Sequence, residues 1–167
     1  MDGVVLVAYA TKHGSTREIA ERICETIQST GLRAHLRPAM GADDLDGYGA
    51  VVLGGAIYRG RWHRQAHRFL RRHEGALADR PLAVFGSGPV DGGPVDPFEA
   101  RAQLDAALER YDVDPVAAAI FGGRIDPSQL LFPFSRTAAA DSRDWDAIEA
   151  WGRSLPELLG IQSPLLV

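Results

Sequence analysis

The chain has 167 residues, 46% of them hydrophobic, and a net charge of −4. That length suits one domain, 1–167, rather than two. No apolar run reaches the roughly 18 residues needed to span a bilayer, and the acidic balance does not ask for nucleic acid as a partner. Met1-Asp2-Gly3-Val4 has no basic stretch and no small-residue cleavage site, so a cytoplasmic protein without a transmembrane segment is expected. The single cysteine, Cys24, rules out an intrachain disulfide and a cysteine-based metal site. It reads as a small apolar residue buried in a helix.

Val4 to Tyr9 is an unbroken apolar, β-branched run, the pattern of a strand buried on both faces. The polar loop Ala10 to Ser15 separates it from Ile19, Ala20, Ile23, Cys24 and Ile27, which recur at helical spacing. Gly31 stops that helix. Leu32 to Arg37 alternates as an edge strand does. Val51 to Gly55 is a second buried strand, and a helix is predicted from about His63 to Leu77. Leu82 to Phe85 follows as a strand entered through Pro81. Asp96-Pro97 marks a helix start, a cap and then proline at the first helical position. Val116 to Phe121 is the last strand, and a final helix begins near Asp144 with Trp145, Ile148, Trp151 and Leu155 on one face. This alternation predicts an α/β protein: a doubly wound, five-stranded parallel sheet in a three-layer α/β/α arrangement. The stretch 122–142 interrupts the alternation as a non-regular insertion and carries Leu130, Leu131, Phe132 and Phe134.

Ligands of open α/β sheets sit outside the carboxyl ends of the strands. The first loop there is Thr11-Lys12-His13-Gly14-Ser15-Thr16, rich in hydroxyls and followed at once by a helix. The first N–H groups of a helix have no internal partner, and its dipole adds positive charge, so a phosphate could bind there with help from Thr11, Ser15 and Thr16. The spacing fits neither a Walker loop nor a dinucleotide fingerprint. Simple capping, with Ser15 as N-cap and Glu18 completing a capping box, is the other reading of the same residues.

These residues resemble the flavodoxin family, whose phosphate loop follows a T/S-x-T-G-x-T pattern after the first strand. Thr11, Gly14 and Thr16 match it; His13 stands where Ser or Thr is usual, and Ser15 where Asn is common. Gly54-Gly55-Ala56-Ile57-Tyr58-Arg59-Gly60-Arg61-Trp62-His63, continuing through His67, Phe69 and Arg71 to His73, is similar to the flavodoxin-like, quinone-dependent protoporphyrinogen dehydrogenases. So is Asp144-Trp145-Asp146-Ala147-Ile148. In those enzymes the insertion after the last strand is longer, apolar and basic; here Arg124 to Ala140 contains only Arg124 and Arg136 as basic residues.

The resemblance implies a flavodoxin-like fold with FMN as cofactor. It implies a phosphate site at Thr11, Lys12, His13, Gly14, Ser15 and Thr16. It also implies a ring site between two loops. One is Ala56, Ile57, Tyr58, Arg59, Gly60 and Trp62, where Tyr58 and Trp62 could stack on the flavin. The other is Ser87, Gly88, Pro89 and Val90, without an aromatic residue. Either that side of the ring is open to a substrate or quinone, or Phe132 or Phe134 covers it.

Arg59 to His73 holds six arginines and three histidines, with no acid before Glu74. Such a run is either a solvated helix face or a site for a redox partner or small anionic substrate. Positive charge there would raise the potential of a reduced, anionic flavin. Arg61 and His63 are the catalytic candidates, His63 as a proton relay. His63 and His67 share a helix face, yet no third ligand is in view, so no metal site is expected. Leu130 to Phe134 could cover the flavin, pair two subunits as a homodimer, or make the protein peripheral to a membrane. Two functions follow: an FMN-dependent oxidoreductase similar to protoporphyrinogen dehydrogenase, passing electrons from an organic substrate to a quinone or other acceptor, or a flavodoxin-type carrier shuttling electrons between redox partners.

Overall fold

The structure is a computed structural model that describes residues 3–11, 14–88, 96–125, 140–141 and 143–162. In chain order the elements are β1 (Val4–Ala10), α1 (Ser15–Ser29), β2 (Ala34–Pro38), β3 (Tyr48–Tyr58), β4 (Arg61–Trp62), α2 (Arg64–Leu77), β5 (Leu82–Ser87), α3 (Pro97–Leu108), β6 (Ala117–Phe121), β7 (Arg124–Ile125), β8 (Ala140–Asp141) and α4 (Trp145–Leu158). Five strands run parallel in the order β2-β1-β3-β5-β6, as the alternation predicted. A sixth short strand, β4, folds back antiparallel on β3.

The period-2 alternation of the strands splits the core in two. Val51 and Leu53 of β3 face α2 and α3, joining Phe69, Leu70 and Leu104. Ala50 and Val52 face the other way, toward Ile19, Ile23 and Ile27 of α1 and Ile148 and Leu155 of α4. Cys24 lies buried in that second core, where burial pushes its thiol up to about 11. Gly54 lets the sheet accept Phe85 from β5: a Cβ there would stand 2.0 Å from the Phe85 ring.

Two predicted boundaries change. β3 runs on from Gly55 to Tyr58 because the chain turns through Arg59 and Gly60, at φ 48° and 73°, and returns as β4. Positive φ at both central residues is what a tight two-residue hairpin of this hand requires. The insertion at 122–142 is regular at its ends, where Arg124 pairs with Asp141 and Ile125 with Ala140. Its middle, with Leu130, Leu131, Phe132, Phe134 and Arg136, lies outside the described residues. No helix among the described residues is long and apolar enough to cross a membrane.

β1 has β2 on one side and β3 on the other, so strand order reverses between β1 and β3. The crevice of a doubly wound sheet opens at such a switch point, beyond the carboxyl ends of those strands. The carboxyl ends of β1, β3 and β5 therefore lie side by side at one edge of the sheet.

Candidate functional site

The first loop turns the chain between Ala10 and Ser15. Thr11 Oγ1 accepts a hydrogen bond from the Gly14 N–H at 3.0 Å, and Gly14 sits at φ 85°. Glycine reaches that region without steric penalty. This corrects the capping expectation. Gly14, not Ser15, is the N-cap, with no side-chain cap bond, and Ser15 is already the buried first residue of the helix. Glu18 does not close a capping box; its carboxylate pairs with Arg143 instead. The first bond of the helical ladder runs from Glu18 N–H to Gly14 O at 3.2 Å. The N–H groups of Ser15, Thr16 and Arg17 precede it, at the positive end of the helix dipole. They form a donor set suited to phosphate oxygens. Among the described residues, a Cβ at Gly14 would meet nothing within 4 Å.

Thr16 and Ser87 are brought together from 71 positions apart, Oγ1 to Oγ 2.6 Å, both fully buried. That bond ties the start of α1 to the end of β5. Each hydroxyl carries one proton, and the bond consumes one of the two, which leaves one proton for a further acceptor. Gly88, next along, is buried at φ 124° and bonds through its N–H to Phe121 O at 3.0 Å. Lys12, His13, Pro89 and Val90, all predicted cofactor contacts, lie outside the described residues.

The carboxyl end of β3 offers Ala56 and Ile57, both buried, and the half-buried Tyr58, and the turn after it the exposed Arg59 and Gly60. The Arg59 guanidinium lies 5.4 Å from the centre of the Tyr58 ring. Trp62 does not stand beside Tyr58 as a stacking ring. It is 3% exposed, packs in the α2–α3 core and donates its indole N–H to Gly55 O at 3.1 Å. The hairpin explains this: opposite Ile57, Trp62 shares the inward face of the pleat.

His63 caps α2, its Nδ1 accepting the Gln65 N–H at 3.1 Å, so the neutral ring carries its proton on Nε2. His67 Nδ1 lies 2.7 Å from the Tyr111 hydroxyl, and His73 is buried with Nε2 2.8 Å from Ala42 O. Each histidine thus has a structural partner. The first turn of α2 contains no acid and begins with Arg64, so the positive end of its dipole carries added positive charge.

Two side chains had no sequence signal. The Arg143 side chain is 5% exposed, pairs with Glu18 and with Asp141 (Nη2–Oδ2 2.7 Å), and lies over the Trp145 ring at 4.7 Å. These partners hold the guanidinium above its ordinary value, the Asp141 hydrogen bond most of all. Arg143 fastens the exit of the insertion to the first turn of α1. Phe98, on the first turn of α3, is the most exposed large apolar side chain among the described residues.

A family model for a flavodoxin domain matches residues 6–138. This chain belongs to the flavodoxin-domain family. Its fold is similar to oxidised flavodoxin 2 from Bacillus cereus (23% identity, 93% of this chain and 99% of that one, TM-score 0.65) and to oxidised flavodoxin 1 from the same organism (18%, 93% and 98%, TM-score 0.63). Among curated proteins it is similar to protoporphyrinogen IX dehydrogenase [quinone] of Escherichia coli strain K12, 27% identical over 82 residues. That match spans 48% of this chain and 45% of the enzyme. A flavodoxin domain binds FMN and transfers electrons through it, and the residues here fit that cofactor. The turn at Gly14 and the leading N–H groups of α1 suit its phosphate, and Tyr58 at the end of β3 and Gly88 just past β5 stand at the same carboxyl edge of the sheet.

Proposed function

We propose that this flavodoxin domain is an oxidoreductase similar to protoporphyrinogen dehydrogenase, passing electrons from an organic substrate through FMN to a quinone or other acceptor. The cofactor supplies acceptance and donation of one or two electrons. The observation that carries the reading is the positive charge at the start of α2: the helix dipole, Arg64, and Arg61 on the adjoining β4, with no acid in the first turn. Positive charge favours the reduced, anionic cofactor and raises its potential, which suits accepting electrons from an organic molecule. The 82-residue match to the Escherichia coli enzyme supports the same reading.

The residues have distinct tasks. The α1 N-terminus holds the phosphate and fixes the ring's distance from β3 and β5. Arg61 provides charge beside the ring or an anionic substrate. His63, with Nδ1 occupied as a cap, exchanges a proton only at Nε2. The alternative is an electron carrier, favoured by the short span between β7 and β8 relative to the dehydrogenases.

Redox titration of the FMN-loaded protein, followed by turnover of protoporphyrinogen with a quinone, separates the two. The oxidoreductase reading expects a midpoint above that of free FMN. It also expects Arg61→Glu to lower the midpoint by on the order of tens of millivolts, since two charge units change near the ring. A midpoint far below free FMN, unmoved by Arg61→Glu and with no turnover, would replace it with the carrier.

A further inference from the structure

The basic run from Arg59 to His73 divides in the fold. Arg72 turns toward the loop after β2 and meets Asp43, Nη1 to Oδ1 3.0 Å. Arg59 covers Tyr58, and Arg68 is exposed on α2. Arg61, Arg64 and Arg71 line a single cleft of about 700 Å³ between α2 and α3, and Arg110, just past the end of α3, lines it from the other side. Among the described residues, no Asp or Glu lines this cleft. Among the described residues, none of these four guanidinium groups has a salt-bridge partner.

Like charges around one cavity repel, and arginine on the other faces of this domain is commonly paired with a carboxylate. Four arginines around one space, without a salt-bridge partner among the described residues, need a counter-charge that those residues do not supply. The volume falls within the roughly 300–1,000 Å³ of small-molecule sites. Ala106 and Ala107 give the α3 wall an apolar surface, and Gln103 adds an amide. The field reaches the cleft wall: burial first, then the Arg110 and Arg71 charges, hold His67 below its ordinary value. Arg64 and Arg71 are seven residues apart on α2, roughly 10 Å along the axis. One carboxylate or phosphate cannot span that distance, and a guanidinium fork takes such a group two oxygens at a time.

We propose that the α2–α3 cleft binds a small molecule carrying two or more anionic groups, carboxylates or phosphates, held between Arg64 and Arg71 on α2 and Arg110 on the facing wall. The site is separate from the phosphate loop, which lies at α1 on the opposite face of the sheet. It stands whether the domain is an oxidoreductase or a carrier, because α2 and α3 build it without the cofactor.

The test is calorimetric titration of the FMN-loaded protein at fixed ionic strength with inorganic pyrophosphate, citrate and acetate. The flavin absorbance is followed throughout to exclude displacement of FMN. Pyrophosphate or citrate should bind at least tenfold tighter than acetate and raise the His67 ring titration seen by NMR. Arg71→Gln and Arg110→Gln should each weaken binding about tenfold, and Arg68→Gln should leave it unchanged. Tighter pyrophosphate would identify a phosphate ligand, tighter citrate a carboxylate ligand, and either supports the site. Equal, weak binding of all three anions would overturn it. So would a loss on Arg68→Gln as large as that on Arg71→Gln, which would reduce the cleft to diffuse attraction.

Discussion

On the α1–α4 face the arginines end on carboxylates. Arg17 meets Glu21 at 2.9 Å, Arg22 meets Glu149 at 2.6 Å, and Arg143 is held between Glu18 and Asp141. On the α2–α3 face, Arg61, Arg64, Arg71 and Arg110 share a cleft without a carboxylate. On the first face the Arg22–Glu149 and Arg143–Glu18 pairs join α1 to α4 and to the segment before it. The second leaves its charge available. Arginines of α2 and α3 that point away from the cleft do find carboxylates, Arg72 at Asp43 and Arg101 at Asp105, so the contrast belongs to the cleft itself.

Breaking the two sides should therefore have unequal consequences. Arg143→Ala removes a buried guanidinium from two carboxylates that are themselves partly exposed. It should cost about 1–3 kcal/mol in urea unfolding, below the full penalty for a wholly buried pair. Gly14→Val forces a β-branched residue into left-handed backbone and should weaken FMN binding by about tenfold or more. Thr16→Ala should also weaken FMN binding, and because it strands Ser87 it should cost about 1–2 kcal/mol of stability while the chain still folds. Unchanged FMN affinity in both variants would remove the phosphate-loop assignment. Arg71→Gln should leave stability within about 0.5 kcal/mol or raise it slightly by relieving repulsion. A loss as large as that of Arg143→Ala would erase the contrast between the faces.

A subtler effect lies in pH. Burial and the charges of Arg110 and Arg71 hold the His67 titration below its ordinary value of 6.5 in the folded protein. Between the folded value and 6.5 the unfolded chain binds more protons, so stability rises with pH across that window. The His67 contribution is full above about pH 6.5 and is lost as pH falls through the folded value. Arg110→Gln should narrow the window, read as a flatter dependence of the urea midpoint on pH between about 5 and 7.

Much of the fold was legible because the buried strands are continuous apolar runs and Asp96-Pro97 and Asp144 are helix starts with a direct physical meaning. Asp96 and Asp144 accept backbone N–H bonds as N-caps in the structure. What escaped depends on tertiary placement. Arg59 in left-handed backbone gives no signal by composition, so neither the hairpin nor the burial of Trp62 in the core is legible from the residues alone. Ser15 and Glu18 fit a capping box locally, but Gly14 takes the cap and Arg143, 125 positions away, takes the glutamate. The arginine run was visible as charge density. Its division, and its completion by Gln103 on α3 and Arg110 just past its end, needed the packing of two helices.

The central claim, that FMN is held by its phosphate at the head of α1, is tested most directly by titrating the cofactor-free protein with FMN and with riboflavin, which lacks only the phosphate. Loss of several charge-assisted hydrogen bonds should make riboflavin at least tenfold weaker, and Gly14→Val should bring the two affinities together. Equal affinity for FMN and riboflavin in the unaltered protein would contradict the claim.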